Sequence, residues 1–227
     1  MLDRVRHEVI LRSILRDIYK ETDLSTKLGF KGGTCLYFFY NLPRFSTDLD
    51  FNQIEAFNPE FITKIVKEYI DLEDFYQRTN TLFWLGSYEK GKQKIKIEIS
   101  QRNYPDEYTP QNFFGISINT MGSEYMFAHK LCAVTDRKTI QNRDLFDTWF
   151  MLKENFPISE QIVQIRTEKS IVEYLKEIVK VVKNLGENHK VLSGLGEVLD
   201  KQRKDWVRDH LINELLFELD NRIIRYT

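Results

Sequence analysis

The chain has 227 residues, 42% hydrophobic and 13% aromatic, with 16 Phe and 11 Tyr; this is ample core for one large domain or two smaller ones and excludes a disordered chain. Its formal net charge is −1, with Lys/Arg against Asp/Glu at 16 to 17 over residues 1–120 and 17 to 17 over 121–227, so neither half is a basic nucleic-acid module. Cys35 and Cys132 lie far apart without a nearby metal-ligand partner, no signal-peptide pattern is visible, and the longest apolar run is Cys35–Tyr40; a reduced, cytoplasmic protein without a membrane span is expected.

In chain order, the first 25 residues carry Val5, Val9, Leu11, Ile14, Leu15 and Ile18 at helical spacing. A break at Gly29 leads through Phe30–Thr34 into a second apolar helix, which Asn41-Leu42-Pro43 ends. Residues 46–51 alternate polar and apolar, as a half-buried strand does. A helix over about 59–70 then precedes a β region at 74–78, 81–88 and 92–100, with a further strand over 113–118. After Gly122 the pattern is helical throughout, with helices near 123–137, 142–154, 158–184 (broken at least once) and 203–225. Three glycines at 186, 194 and 196 mark a loop around one short helix. The expected organisation is an α+β domain over 1–120 and a helical domain over 121–227.

Four segments carry chemistry. Lys31-Gly32-Gly33-Thr34 stands at a strand-to-helix junction, where glycines allow close backbone approach and a helix start presents free N–H groups to phosphate. The same tetrapeptide also suits a tight turn with Thr34 as helix N-cap. Asp48-Leu49-Asp50 puts two carboxylates on one strand face, where they repel unless a divalent cation lies between them; Mg²⁺ suits such a pair together with substrate phosphates. Lys92, Lys94, Lys96 and Glu98 share one face of an alternating strand, opposite Ile95, Ile97 and Ile99. Were that strand beside the aspartates, Glu98 would supply a third carboxylate and the lysines an anion-attracting approach; an edge strand blunted by lysines is the alternative. Lys130 and Arg137 share a helix face with Ala133 and Val134, and Asn142 reads as the N-cap of a helix that carries Arg143, Asp144 and Asp147.

The order Lys-Gly-Gly-Thr, Arg44-Phe45-Ser46-Thr47-Asp48-Leu49-Asp50-Phe51, a strand carboxylate, then His129-Lys130-Leu131 and Arg143-Asp144-Leu145-Phe146-Asp147 resembles the AbiEii/AbiGii toxin family of the DNA polymerase β-like nucleotidyltransferase superfamily. The resemblance covers roughly residues 28–155. It implies a nucleotidyltransferase fold, a small mixed sheet flanked by helices, followed by a helical bundle. It implies that Lys31, Gly32, Gly33, Thr34 and Ser46 meet the nucleotide phosphates, and that Asp48, Asp50 and Glu98 bind Mg²⁺ or Mn²⁺. Lys130 and Asp147 match the family's downstream lysine and aspartate, the lysine meeting the triphosphate in a cleft between the two domains. The implied reaction is transfer of a nucleotide from an NTP to a hydroxyl, such as that of a tRNA 3′ end, with a cognate antitoxin as partner. A transferase acting on a small molecule or protein hydroxyl, and a nucleotide-binding regulator without catalysis, are the alternatives.

Overall fold

A computed structural model describes residues 3–89, 93–137, 139–186 and 189–227; Lys92, expected on the Glu98 face, lies outside them. The chain divides into two compact units, Met1–Gly122 and Ser123–Thr227.

The first unit is built on a mixed sheet of seven strands: β1 (Leu28–Lys31), β2 (Leu49–Gln53), β3 (Asp71–Arg78), β4 (Thr81–Ser87), β5 (Lys94–Ser100), β6 (Tyr108–Phe113) and β7 (Ile116–Met121), in the order β3-β4-β5-β2-β1-β7-β6. Helices α1 (Arg4–Lys20), α2 (Gly32–Tyr40) and α3 (Glu60–Lys67) complete it. Two pairings set the geometry used below. β1 runs antiparallel to β2, with Lys31 opposite Asp50. β2 runs parallel to β5, with Asp50 opposite Glu98. A parallel pair needs a long connection; here α3 and the β3–β4 hairpin supply it.

Alternation decides which side chains meet the core. Leu49 and Phe51 are fully buried, as are Ile95, Ile97 and Ile99, whereas Asp48, Asp50, Lys96 and Glu98 are part-exposed on the other face. A slip by one residue would bury the charges and expose five apolar side chains, so the register is strongly specified. From α1, Leu11, Ile14, Leu15 and Ile18 are fully buried, and the Tyr19 ring lies 6.4 Å from that of Phe51.

One strand expected over 113–118 is instead a hairpin turning at Phe114-Gly115. Both residues have positive φ, 51° and 85°, the requirement of a two-residue turn matched to strand twist. An aromatic at the first turn position carries no turn signal, which is why the sequence pattern reads through it.

The second unit is helical: α4 (Ser123–Asp136), α5 (Asn142–Lys153), α6 (Glu160–Thr167), α7 (Ile171–Lys183) and α8 (Lys201–Tyr226). The expected break in 158–184 falls at Glu168, which closes α6 in the left-handed region (φ 60°), and at Ser170, which opens α7 through a capping box with Glu173. The short helix expected within the glycine-bearing loop over 184–196 is replaced by one 3₁₀ turn at its end, Gly196–Val198. Asp200 caps α8 by accepting from the Arg203 amide at 2.7 Å. From α8, buried Arg222 donates to the carbonyls of Phe156 (2.8 Å) and Leu152 (3.4 Å) beyond and within the last turn of α5, a favourable place for a cation.

Candidate active site

The phosphate-type turn begins where β1 becomes α2. Gly32 has φ +82°, and a Cβ there would stand 2.5 Å from Asp50 Oδ2. Both the conformation and the space therefore require glycine. The Asp50 carboxylate lies over the positive end of α2. At Gly33 a Cβ would meet the Arg44 guanidinium at 2.7 Å and Ser46 Oγ at 2.9 Å. Arg44 and Ser46 are both buried, and Arg44 donates to the Phe45 carbonyl at 3.0 Å.

Thr34 does not cap this helix, contrary to one expectation. Lys31 holds the N-cap position, with no capping hydrogen bond from its side chain, and the Thr34 hydroxyl donates to the Asp48 carbonyl. The helix is thus tied to the backbone of the first aspartate.

Strand pairing lines up Lys31, Asp50 and Glu98 across β1, β2 and β5. The Lys96 ammonium lies 3.7 Å from Asp48 Oδ2 and 3.4 Å from Glu98 Oε2. Burial opposes its charge, yet Asp50, Asp48 and Glu98 together outweigh burial and hold it above the ordinary lysine range. Lys96 therefore does not line an open approach, as the sequence suggested, but turns onto the carboxylates. Lys94 pairs with Glu73 on β3's side of the sheet. The other acids near this region in sequence are engaged elsewhere: Glu89 pairs with Arg6 at 3.2 Å, and Asp106 accepts from Asn52 at 3.0 Å.

Among the described residues, no group of three or more His, Cys, Asp or Glu has the spacing of a complete metal site. The donor set nevertheless fits a divalent cation of the magnesium type. Asp48, Asp50 and Glu98 are hard oxygen donors; Asp48 and Glu98 meet the Lys96 ammonium and Asp50 acts on it through space. Divalent cations of this type take one or two carboxylates plus substrate phosphates.

A residue the sequence reading passed over fixes this loop from behind. His7 of α1 is fully buried; its Nε2 lies 3.0 Å from the Thr47 carbonyl and its Nδ1 3.4 Å from the Tyr88 hydroxyl. A carbonyl can only accept, so Nε2 carries the proton and Nδ1 accepts from Tyr88. A single histidine in an amphipathic helix gives no sequence signal of such a role.

In the second unit, Lys130 lies 2.7 Å from Asp147 and 3.5 Å from Asp144, and the Asp147 side chain has no solvent exposure. Arg137 reaches Asp144 at 3.6 Å. Asn142 is the first residue of α5 rather than its cap, a position held by Gln141. Its amide instead donates to the carbonyls of Lys190 and Ser193, both at 3.0 Å, and its oxygen accepts from His189 Nε2 at 2.6 Å, pinning the glycine-rich loop to the helix start.

Solved structures share this fold. A Helicobacter pylori protein described as a candidate nucleotidyltransferase is 23% identical, with a TM-score of 0.64 over 100% of this chain and 99% of that one. JHP933 from Helicobacter pylori is 22% identical, with a TM-score of 0.58 over 100% and 97%. The architecture is thus the nucleotidyltransferase α+β fold. Residues 13–215 match the family described as nucleotidyl transferase AbiEii toxin, type IV toxin–antitoxin system; the chain belongs to that family and is a nucleotidyltransferase. Membership implies an NTP substrate and an antitoxin partner. No match was found among curated proteins. Among the described residues, no helix is long and apolar enough to cross a membrane.

Two predictions follow from the buried charges. Burial lowers the His7 pKa from 6.5, against the opposing bond to Thr47. Above pH 6.5 the imidazole is neutral in folded and unfolded chains alike. Below it the unfolded chain takes the proton first, so stability falls as pH drops from 6.5 toward the lower folded value. His7→Gln, whose amide can still donate to Thr47, flattens that part of the melting-temperature profile; parallel profiles would contradict the assignment. For Lys130, truncation to Ala removes the ion-pair partner of a fully buried carboxylate and costs about 3 kcal/mol or more. A double replacement, Lys130→Met with Asp147→Leu, recovers most of that in a thermal melt. An alanine variant melting at or above wild type would show that Lys130 is dispensable for stability.

Proposed function

We propose that this nucleotidyltransferase is metal-dependent, that its acceptor is the hydroxyl of an RNA such as a tRNA 3′ end, and that Asp48, Asp50 and Glu98 are its catalytic carboxylates. The observation that carries this reading is the placement of Asp50 opposite Glu98, with Lys96 between Glu98 and Asp48, beside a glycine turn that opens a helix.

In this reading the backbone N–H groups of Gly32, Gly33 and Thr34, with the Ser46 hydroxyl, receive the triphosphate at the start of α2. Lys31, in rank with Asp50, adds positive charge at the same end. Asp48 and Asp50 would hold a divalent cation, and Glu98, opposite Asp50 on the neighbouring strand, would be the third residue available to it. When bound, Mg²⁺ or Mn²⁺ would neutralise the triphosphate and acidify the attacking hydroxyl. The acceptor oxygen forms its bond to the α-phosphorus, the bond from that phosphorus to the β-bridging oxygen breaks, and pyrophosphate leaves with its electron pair while the hydroxyl proton passes to solvent. Lys130 and Asp147 are carried as functional residues by family likeness; their mutual ion pair holds the lysine in place. A cognate antitoxin would hold the enzyme silent.

The test is incubation with each α-labelled NTP, Mg²⁺ and total RNA. Wild type transfers label to RNA. Asp48→Asn and Asp50→Asn each lower transfer by about a hundredfold or more, with unchanged or slightly raised melting temperature because a like charge has left the cluster. Glu98→Gln loses transfer while retaining NTP binding. Near-wild-type turnover by either aspartate variant would overturn the assignment, and label in a protein or small molecule instead of RNA would replace the acceptor.

A further inference from the structure

Lys96 stands where a lysine has no ordinary structural reason to be. Lysines on strands commonly blunt a sheet edge, but β5 is an interior strand, paired with β2 on one side and β4 on the other. Ile95 and Ile97, both fully buried, anchor the backbone on either side of it, so its side chain is committed to the carboxylate face. There the ammonium reaches Asp48 and Glu98 and gives up most of its exposure to water, retaining 31%. Lys94, two residues earlier on the same face, takes a different partner in Glu73, so the two lysines are not interchangeable.

Three carboxylates held together by strand register repel one another, and a metal-free site must offset that repulsion. From this placement we infer that Lys96 is a resident counter-cation: it holds Asp48 and Glu98 together in the metal-free protein and competes with the divalent cation for them. It is a positioning residue, and the inference rests on the metal-binding reading of these carboxylates. A divalent ion entering the site must displace the ammonium from the carboxylate oxygens or share them with it. Lys96 thereby weakens metal affinity while protecting the empty site from opening. Loading then favours the ion that arrives with a triphosphate, whose oxygens add ligands and whose negative charge gives the displaced ammonium a new partner.

The experiment compares wild type, Lys96→Met and Lys96→Arg by Mn²⁺ titration calorimetry, without nucleotide, and by thermal melts in EDTA and in saturating Mn²⁺. Methionine keeps the apolar stem and removes the charge; arginine keeps the charge. The expected result is that Lys96→Met melts several degrees lower in EDTA, gains more than wild type on adding Mn²⁺, and binds Mn²⁺ about tenfold tighter, equivalent to about 1.4 kcal/mol. Lys96→Arg stays near wild type in all three. Should Lys96→Met not fold, adding Asp48→Asn removes one repelling charge and restores folding if the account holds; failure to restore it would overturn the account. Unchanged or weaker Mn²⁺ binding by Lys96→Met, with wild type binding normally, would overturn the inference and leave the metal reading standing. Absence of Mn²⁺ binding in both wild type and Lys96→Met would overturn the metal reading itself, and the competition with it.

Discussion

Like charges on neighbouring strands separate unless the backbone forbids it, and that constraint organises the first unit of this protein. Asp50 faces Glu98 because β2 and β5 are parallel neighbours in one register. The register holds because a one-residue slip would turn Leu49, Phe51 and the three isoleucines of β5 out of the core. Apolar burial, at about 25 cal/mol per Å², thus sets the spacing of the carboxylates. The ammonium of Lys96 then offsets the repulsion that this spacing creates.

The surroundings serve the same arrangement. Glycine at position 32 is demanded twice, by its positive φ and by the Asp50 carboxylate that would collide with any side chain. Thr34 and His7 grip the backbone on both sides of the Thr47–Asp48 peptide, one by donating to the Asp48 carbonyl and the other to that of Thr47. The first aspartate is therefore held at its main chain, while its carboxylate faces the Lys96 ammonium. In the second unit a fully buried carboxylate, Asp147, is paired with the Lys130 ammonium, and removing the lysine takes that partner away.

What the sequence made legible was local. The period-two alternation through Asp48–Phe51 and Ile95–Ile99, and the helical spacing after Gly122, gave the element types and the α+β class because both signals are carried by residues a few positions apart. Parallel pairing of β2 with β5, 48 residues away by the Asp50–Glu98 separation, is a property of the whole sheet, and the sequence could state only what would follow from it. The misreadings have physical causes. Thr34 and Asn142 look like caps because their side chains bond backbone groups; here each bonds a distant carbonyl instead. Phe114 masks a turn because nothing in an aromatic announces positive φ. His7 was invisible as a site residue because its partners come from other elements, and Lys96 was read as lining the approach because its contact with Asp48 crosses from β5 to the segment before β2.

The central claim is that the three carboxylates share one cation position beside the glycine turn. Anomalous diffraction from crystals grown with Mn²⁺ and a non-hydrolysable NTP tests it most directly. The account predicts a manganese peak bound by Asp48 and Asp50 on the Glu98 side of β2, with the triphosphate at the start of α2. A nucleotide bound there without manganese at these carboxylates, or manganese seated at any other acidic group, would contradict it.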